Sequence, residues 1–494
     1  MLFNSDIFVF CFLPITLIGF YGLSRFAEHY VAKAWLVLAS LFFYGWWNPA
    51  YLGLILISVF ANYLIGQRLG QQHAKAAPSK KLLYFGLAFN LTLLGYFKYA
   101  GFLVENLNAL TTANITLHRV VLPLAISFFT FQQVAYLIDA RRGRVQESGF
   151  LNYILFVTFF PQLIAGPIVH HQEVLPQFLQ KVSKGVRSKN FSIGFTIFAI
   201  GLFKKIVLAD NVGAYATPVF AAAEQGAALT LLESWAGLLA YTCQIYFDFS
   251  GYSDMAIGLA RLFGIRLPLN FNSPYKARCI VDFWRRWHIT LSRFLRDYLY
   301  FSLGGGRRGH ARRLANLMIV MLLGGLWHGA GWTFVLWGGL HGSFLVANHA
   351  WRKWGKFRLP PAISWALTLL VVVLAWVPFR ADSLAATQTM FASMAGAHPS
   401  SLAEMFSSGI FGFAKIGASW IALCLLIAVV LPNTSQIMRR YRPGLETYKG
   451  EIRRLSMRRL EWRPTRPWAV FSALTFLVSV LSMEQVSEFL YFQF

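Results

Sequence analysis

The chain has 494 residues, of which 56% are hydrophobic, 17% aromatic and only 13% charged, and its mean hydropathy is +0.51. A soluble enzyme of this size would carry far more charge on its surface, so the composition indicates a polytopic membrane protein. The formal net charge of +25 would suit a nucleic-acid binder. The basic residues, however, cluster in short connections between apolar runs, where they act as a topology signal, and no nucleic-acid partner is expected.

The first residues, Met1-Leu2-Phe3-Asn4-Ser5-Asp6, lack the basic region of a cleavable signal, so 7–23 reads as a retained first span. Runs able to cross, or nearly cross, a bilayer follow at 34–47, 51–66, 82–102, 120–139, 191–209, 231–262, 314–327, 332–350, 363–379, 416–431 and 468–481. Several fall short of the roughly 20 residues that a perpendicular span needs, which implies tilt, a thinned bilayer or burial within a bundle. The expectation is about a dozen helices in one integral-membrane domain, 1–494, with N-terminal helices in 1–145, a core in 146–350 and C-terminal helices in 351–494. The positive-inside rule places 68–81, 141–144, 181–189, 276–313, 352–358 and 439–466 in the cytoplasm. It leaves 47–49, loops at 105–116 and 218–228, and the stretch after Arg380 outside. The basic cytoplasmic excursion at 433–467 reads as a helix lying against the membrane. Residues 159–167 have basic segments on both sides and read as a re-entrant hairpin, which requires surrounding protein or a cavity and hence an internal funnel or tunnel.

Two segments carry potential chemistry. Winding 282–296 at about 100° per residue gathers Arg285, Arg286, Arg293 and Arg296 on one side and Trp284, Trp287, Leu291, Leu295 and Tyr298 on the other. This predicts an interfacial helix whose arginines face anionic lipid headgroups or an anionic ligand. His288 falls at the edge of the apolar side, and anchoring does not call for it. In Leu326-Trp327-His328-Gly329-Ala330, an imidazole able to take a proton near neutral pH lies in an apolar run. That costs at least a few kcal/mol in lipid, so His328 is either a functional group or a neutral imidazole bonded to a backbone carbonyl.

Asp248 and Asp254, within 246–254, need partners; Ser250-Gly251 and Ser253 are expected to break the helix there. The two carboxylates would pair with basic or imidazole groups, as a structural network or to orient a histidine. His341 suits a packing or hydrogen-bonding role, and His170-His171 an interfacial one. Gly304-Gly305-Gly306-Arg307-Arg308 reads as an interfacial turn, with a phosphate cradle as the alternative. The scattered Cys11, Cys243, Cys279 and Cys424 read as buried free thiols. No zinc spacing, P-loop or dinucleotide fingerprint occurs, so neither a metal nor a permanently bound cofactor is expected.

Taken together, Asp282-Phe283-Trp284-Arg285-Arg286-Trp287-His288 and Leu326-Trp327-His328-Gly329 resemble the membrane-bound O-acyltransferase (MBOAT) family, in its bacterial branch of AlgI, PatA and DltB. Residues 122–129, 159–167, 246–254 and the terminal Phe489-Leu490-Tyr491-Phe492-Gln493-Phe494 support the match, which spans nearly the whole chain. The resemblance implies a ring of about eleven or twelve tilted transmembrane helices, with re-entrant and interfacial helices, around a central funnel. His328 corresponds to the family's near-invariant histidine and His288 to its second, more variable position. Trp284, Arg285, Arg286, Trp287, Arg293, Asp248, Asp254, Trp327 and His341 are expected to bind substrate or support the site. The implied activity moves acetyl groups from cytoplasmic acetyl-CoA across the bacterial inner membrane to an extracytoplasmic polysaccharide, alginate-like or another exopolysaccharide, with a periplasmic acetyltransferase-like partner. Peptidoglycan acetylation, D-alanyl transfer and a non-enzymatic acyl conduit or transporter are the alternatives. The dense basic run 307–313 and His170-His171 after the hairpin depart from the family pattern.

Overall fold

The computed structural model describes residues 1–75, 79–111, 114–117, 121–145, 149–180, 188–355, 357–398, 414–448, 450–452, 460–483 and 489–490. Regular structure among them is helical, apart from one isolated bridge between Pro268 and Leu445. Among the described residues, five stretches are long and apolar enough to cross a membrane: Ile7–Phe26, Ala50–Ala74, Lys80–Leu110, Ser188–Glu224 and Pro361–Arg380. Their outer faces are apolar as well. Ile57, Phe60 and Leu64 are exposed on the Ala50–Ala74 helix, as are Val470, Phe471, Leu474, Leu477, Val478 and Leu481 on the Arg466–Leu481 helix. That spacing makes a continuous stripe that water would penalise and lipid accepts, as in a multi-pass membrane protein.

The centre of the fold is the 32-residue helix Leu231–Leu262. Thr230 and Glu233 form a capping box at its start, satisfying amides that would otherwise be orphaned. Beyond Cys243 nearly every residue is buried. The helix Ser188–Phe203 lies against it through reciprocal glycines. A Cβ on Gly194 would stand 2.7 Å from the Gly258 carbonyl oxygen, and one on Gly201 would stand 2.6 Å from that of Gly251. Backbones can come this close only where side chains are missing, and in lipid such contacts supply association that apolar surface alone does not. The same device joins His310–His328 to Trp332–Trp354, where a Cβ on Gly338 would meet the Met321 carbonyl oxygen at 2.4 Å.

Gly251 thus serves helix approach, and the break expected at Ser250-Gly251 and Ser253 does not occur. Packing on all sides holds the helix intact through them. Other expectations are also corrected. The loop at 218–228 is helical as far as Glu224, and that at 105–116 is helical to Leu110, because alanine- and leucine-rich sequence continues the preceding span. The described part of the basic excursion is no surface helix. After a short turn at Arg439–Tyr441 it runs irregularly, and Leu445 exchanges backbone hydrogen bonds with Leu267 and Leu269. Residues 181–187 and 453–459, both counted among the cytoplasmic basic segments, lie outside the described residues, as do 491–494 of the terminal motif. Cys11 is exposed on the first helix and Cys279 is half-buried, so only Cys243 and Cys424 are the buried thiols expected.

The hairpin region is irregular and enclosed. The helix Gly149–Thr158 stops at Phe159, a short turn Phe160–Leu163 follows, and Ile164, Ala165, Ile168 and Val169 are all at most 2% exposed. Its freed amides find side-chain acceptors: Phe160 N donates to Ser40 Oγ at 3.1 Å and Ile168 N to Thr290 Oγ1 at 2.9 Å. Protein therefore surrounds this non-helical backbone, as its position demands.

If the glycine contacts set the helix spacing, Gly258→Leu must push two backbones apart at a cost of about 1–3 kcal/mol. Detergent-solubilised Gly258→Leu protein should melt several degrees lower than the parent. An unchanged melting temperature would contradict the close approach described.

Candidate active site

The catalytic candidates come together in an aromatic enclosure at the centre. His328 is the last residue of the His310–His328 helix, which ends because Gly329 turns extended, with φ −153° and ψ 145°. Its ring, 3% exposed, stands edge-on to Trp337 at 5.0 Å, to Trp327 at 5.1 Å and to Phe379 at 5.3 Å between centroids. The His288 ring is 6.3 Å away. Sequence-separated histidines thus share one box.

His288 is not on a continuous amphipathic helix. The helix Ile280–Trp284 ends, His288 adopts a left-handed conformation with φ 41° and ψ 54°, and a second helix, Ile289–Phe294, begins. A non-glycine residue pays for that conformation only where its surroundings impose it. Here Asn270 imposes it. Its carbonyl accepts from Ile289 N at 2.9 Å, and its side-chain Oδ1 accepts from Thr290 Oγ1 at 2.9 Å and lies 3.1 Å from His288 Nδ1. Because Oδ1 is an acceptor, Nδ1 carries the proton and Nε2 keeps its lone pair. Thr290 had no sequence signal beyond its nearness to His288, and Asn270, on an earlier connection, had none.

The break also redirects the arginines. Arg286 pairs with Asp282 at 2.9 Å, Arg293 forms a two-pronged pair with Glu173, and Arg296 pairs with Asp297 at 2.7 Å. Each thereby holds local structure, and Arg285, exposed like Arg296, is the member of the set with no ion pair among the described residues. Trp287 is buried, stacked on Phe283 at 14° and packed on Trp376 at 4.9 Å. Trp284 packs on Trp337 at 5.8 Å, and Trp327 stacks on Phe131 at 5.2 Å. His341 is fully buried between Phe283 and Trp337, and neither ring nitrogen has a hydrogen-bond partner among the described residues. Its packing role is therefore visible, while a hydrogen-bonding role is not. His171 is buried rather than interfacial, 3.8 Å from Asp139, and His170 Nδ1 lies 3.1 Å from the Tyr298 hydroxyl.

Asp248 and Asp254 pair with lysines that the sequence reading passed over. Lys205 Nζ lies 2.7 Å from Asp248 and 2.8 Å from Asp210, and Lys204 Nζ lies 2.6 Å from Asp254. Both lysines come from a π-helical stretch, Lys204–Asp210, inside the long span. Neither carboxylate orients a histidine in this structure; Asn270 does that for His288. The available clue was the adjacent lysines in an otherwise apolar run, which lipid would not tolerate unpaired.

Asp248, His328, Trp287, Trp337, Trp376, Phe379, Phe489 and Leu490 line one cavity of about 10 Å³. Leu490 N donates to Asp248 at 3.2 Å, and Phe489 stacks on Tyr252 at 4.6 Å, so the chain's end forms one wall. The volume admits about one water-sized sphere. This chamber is too small for a thioester beside an attacking alcohol.

The chain matches the family model described as MBOAT, membrane-bound O-acyltransferase family, over residues 47–385. It is 40% identical to the peptidoglycan O-acetyltransferase of Helicobacter pylori, with 100% of this chain and 98% of that protein covered. It is 38% identical to the probable alginate O-acetylase AlgI of Pseudomonas putida, with 100% of both chains covered. A teichoic acid D-alanyltransferase of Bacillus subtilis is 28% identical over 52% of this chain and 66% of that protein.

Removing one partner of a buried ion pair strands the other charge, at a cost of roughly 3–5 kcal/mol. Lys205→Met should therefore destabilise the protein by several kcal/mol in a denaturation series, and adding Asp248→Leu should recover part of the loss. Equal stability of the single variant and the parent would show that the pair is not held as described.

Proposed function

This chain belongs to the membrane-bound O-acyltransferase family, and from its site we propose that it acetylates an extracytoplasmic polymer with acetyl groups drawn from cytoplasmic acetyl-CoA. The observation that carries the reading is the placing of the His328 ring on the wall of a small, aromatic-lined chamber, beside a second imidazole. An alcohol is a poor nucleophile until its proton is taken, and a base within hydrogen-bond reach supplies about 10²- to 10⁴-fold. His328 takes that proton as the hydroxyl oxygen attacks the thioester carbonyl carbon. The carbon–oxygen bond forms, the carbon–sulfur bond breaks, and the imidazolium returns its proton to the departing thiolate. His288, its Nδ1 engaged by Asn270, is assigned to position the donor.

The aromatic walls keep water from competing for the thioester. Because the chamber holds about one water, substrate entry requires movement of its walls, and Phe489 and Leu490 belong to one of them. Arg285 is the exposed basic group nearest in sequence to the site and is assigned to attract the donor's phosphates. The inner membrane is the proposed location, with a periplasmic acetyltransferase-like protein completing transfer.

Acetyl rather than D-alanyl transfer is supported by the higher identity to the two acetylating relatives. Those two relatives name peptidoglycan and alginate at nearly equal identity. An alginate-like or other exopolysaccharide is the proposed acceptor, with peptidoglycan as the second reading. Inverted membrane vesicles of the native host, supplied with radiolabelled acetyl-CoA, test the mechanism. His328→Ala should lower base-labile incorporation by about 10²-fold or more at an unchanged protein level. Incorporation at the parent rate would refute His328 as the base.

A further inference from the structure

We propose that Lys98 is a positioning residue for acyl transfer: its ammonium, carried on a separate span, grips the carbonyls that end the His310–His328 helix and so fixes where the His328 ring stands. Lys98 Nζ donates to the Trp327 carbonyl at 2.6 Å and to the His328 carbonyl at 2.9 Å, and the neighbouring Tyr99 hydroxyl donates to the Leu326 carbonyl at 2.9 Å. Three successive carbonyl oxygens are thus held by two successive residues about 230 positions earlier in the chain.

These are the acceptors that a helix leaves without internal partners, and a cation at a helix C-terminus also offsets its partial negative charge. The grip comes from a π-helical stretch, Gly95–Tyr99, inserted in the Lys80–Leu110 span. Such stretches cost regular hydrogen bonding and recur at functional sites. A lysine in a span is costly as well, and packing alone would be served by leucine or methionine.

The chain leaving the helix end is also confined. A Cβ on Gly329 would fall 2.1 Å from the Phe334 ring, so the chain leaving His328 has no room to shift that way. Lys98 Nζ lies 6.0 Å from the centroid of Trp327, whose ring stacks on Phe131. Loosening the grip frees the last turn of the helix, and with it the imidazole. A displacement on the order of 1 Å is enough to cost about 10²-fold in rate.

The inference rests on His328 being the base, and the experiment separates the two. The full chain is assayed in inverted native membrane vesicles with radiolabelled acetyl-CoA, rates being normalised to folded protein by quantitative immunoblot and thermal melt. Lys98→Met should lower kcat by about 10²-fold and leave the KM for acetyl-CoA within about twofold. Lys98→Arg, which keeps charge and donors, should recover most of the rate, and Tyr99→Phe, which removes one bond of three, should lose only severalfold. A purely structural lysine would instead reduce the amount of folded protein at an unchanged rate per molecule, and that result overturns the proposal. So does Lys98→Arg as slow as Lys98→Met, or Tyr99→Phe at the parent rate if Lys98→Met does not fold. If His328→Ala is inactive while Lys98→Met keeps the parent kcat, this inference alone falls. If His328→Ala stays active, the reading beneath it falls.

Discussion

Polar groups withdrawn from water must find partners inside the protein, and this requirement organises the centre of the molecule. Lys205 sits between Asp248 and Asp210, Lys204 meets Asp254, and Thr434 adds a hydroxyl to Asp254 at 2.6 Å. Asp248 and Asp254 lie on the Leu231–Leu262 helix, and the lysines and Asp210 lie on the π-helical continuation of the helix packed against it. Glycines at Gly194, Gly201, Gly251 and Gly258 bring those two backbones within reach, so the ion pairs and the close approach depend on each other.

The site borrows rigidity from this arrangement. Asp248 reaches the chamber wall, where it also accepts the amide of Leu490. Asn270 holds His288 in a backbone conformation that only surrounding contacts can sustain, and Asn272 N bonds to the Arg286 carbonyl at 2.9 Å on the same connection. The segment carrying Asn270 and Asn272 is itself backed by the basic excursion, through Leu445 and the Glu451 carbonyl that accepts from Asn272 Nδ2. Both histidines are therefore placed by groups that touch no substrate in the proposed reaction. Trp327 packs against both imidazoles and Trp337 against His328, with rings that hold shape without competing for protons.

What a membrane surface contributes differs from what the core contributes. The outer stripes of leucine, phenylalanine and isoleucine fix no neighbour, because lipid tails solvate them as well as protein would. Specificity of packing comes instead from the absence of side chains at glycines and from polar pairs. This is why Lys98 and Lys204, although in apolar runs, each lie against a named partner.

The sequence by itself determined that the chain is helical and crosses a membrane several times, because apolar runs of bilayer length have few other outcomes. It also singled out His328, His288 and the two aspartates, because titratable groups in apolar surroundings are costly wherever they occur. Hydrophobic periodicity could not see the break at His288, since left-handed backbone there is imposed by Asn270 from an earlier connection. Nor could it see that Arg293 is spent on Glu173, or that Gly251 spaces two helices rather than ending one. Those outcomes were decided by the tertiary structure, for a common physical reason: each depends on a partner far away in the chain, and no local pattern records which distant group will arrive within hydrogen-bonding distance.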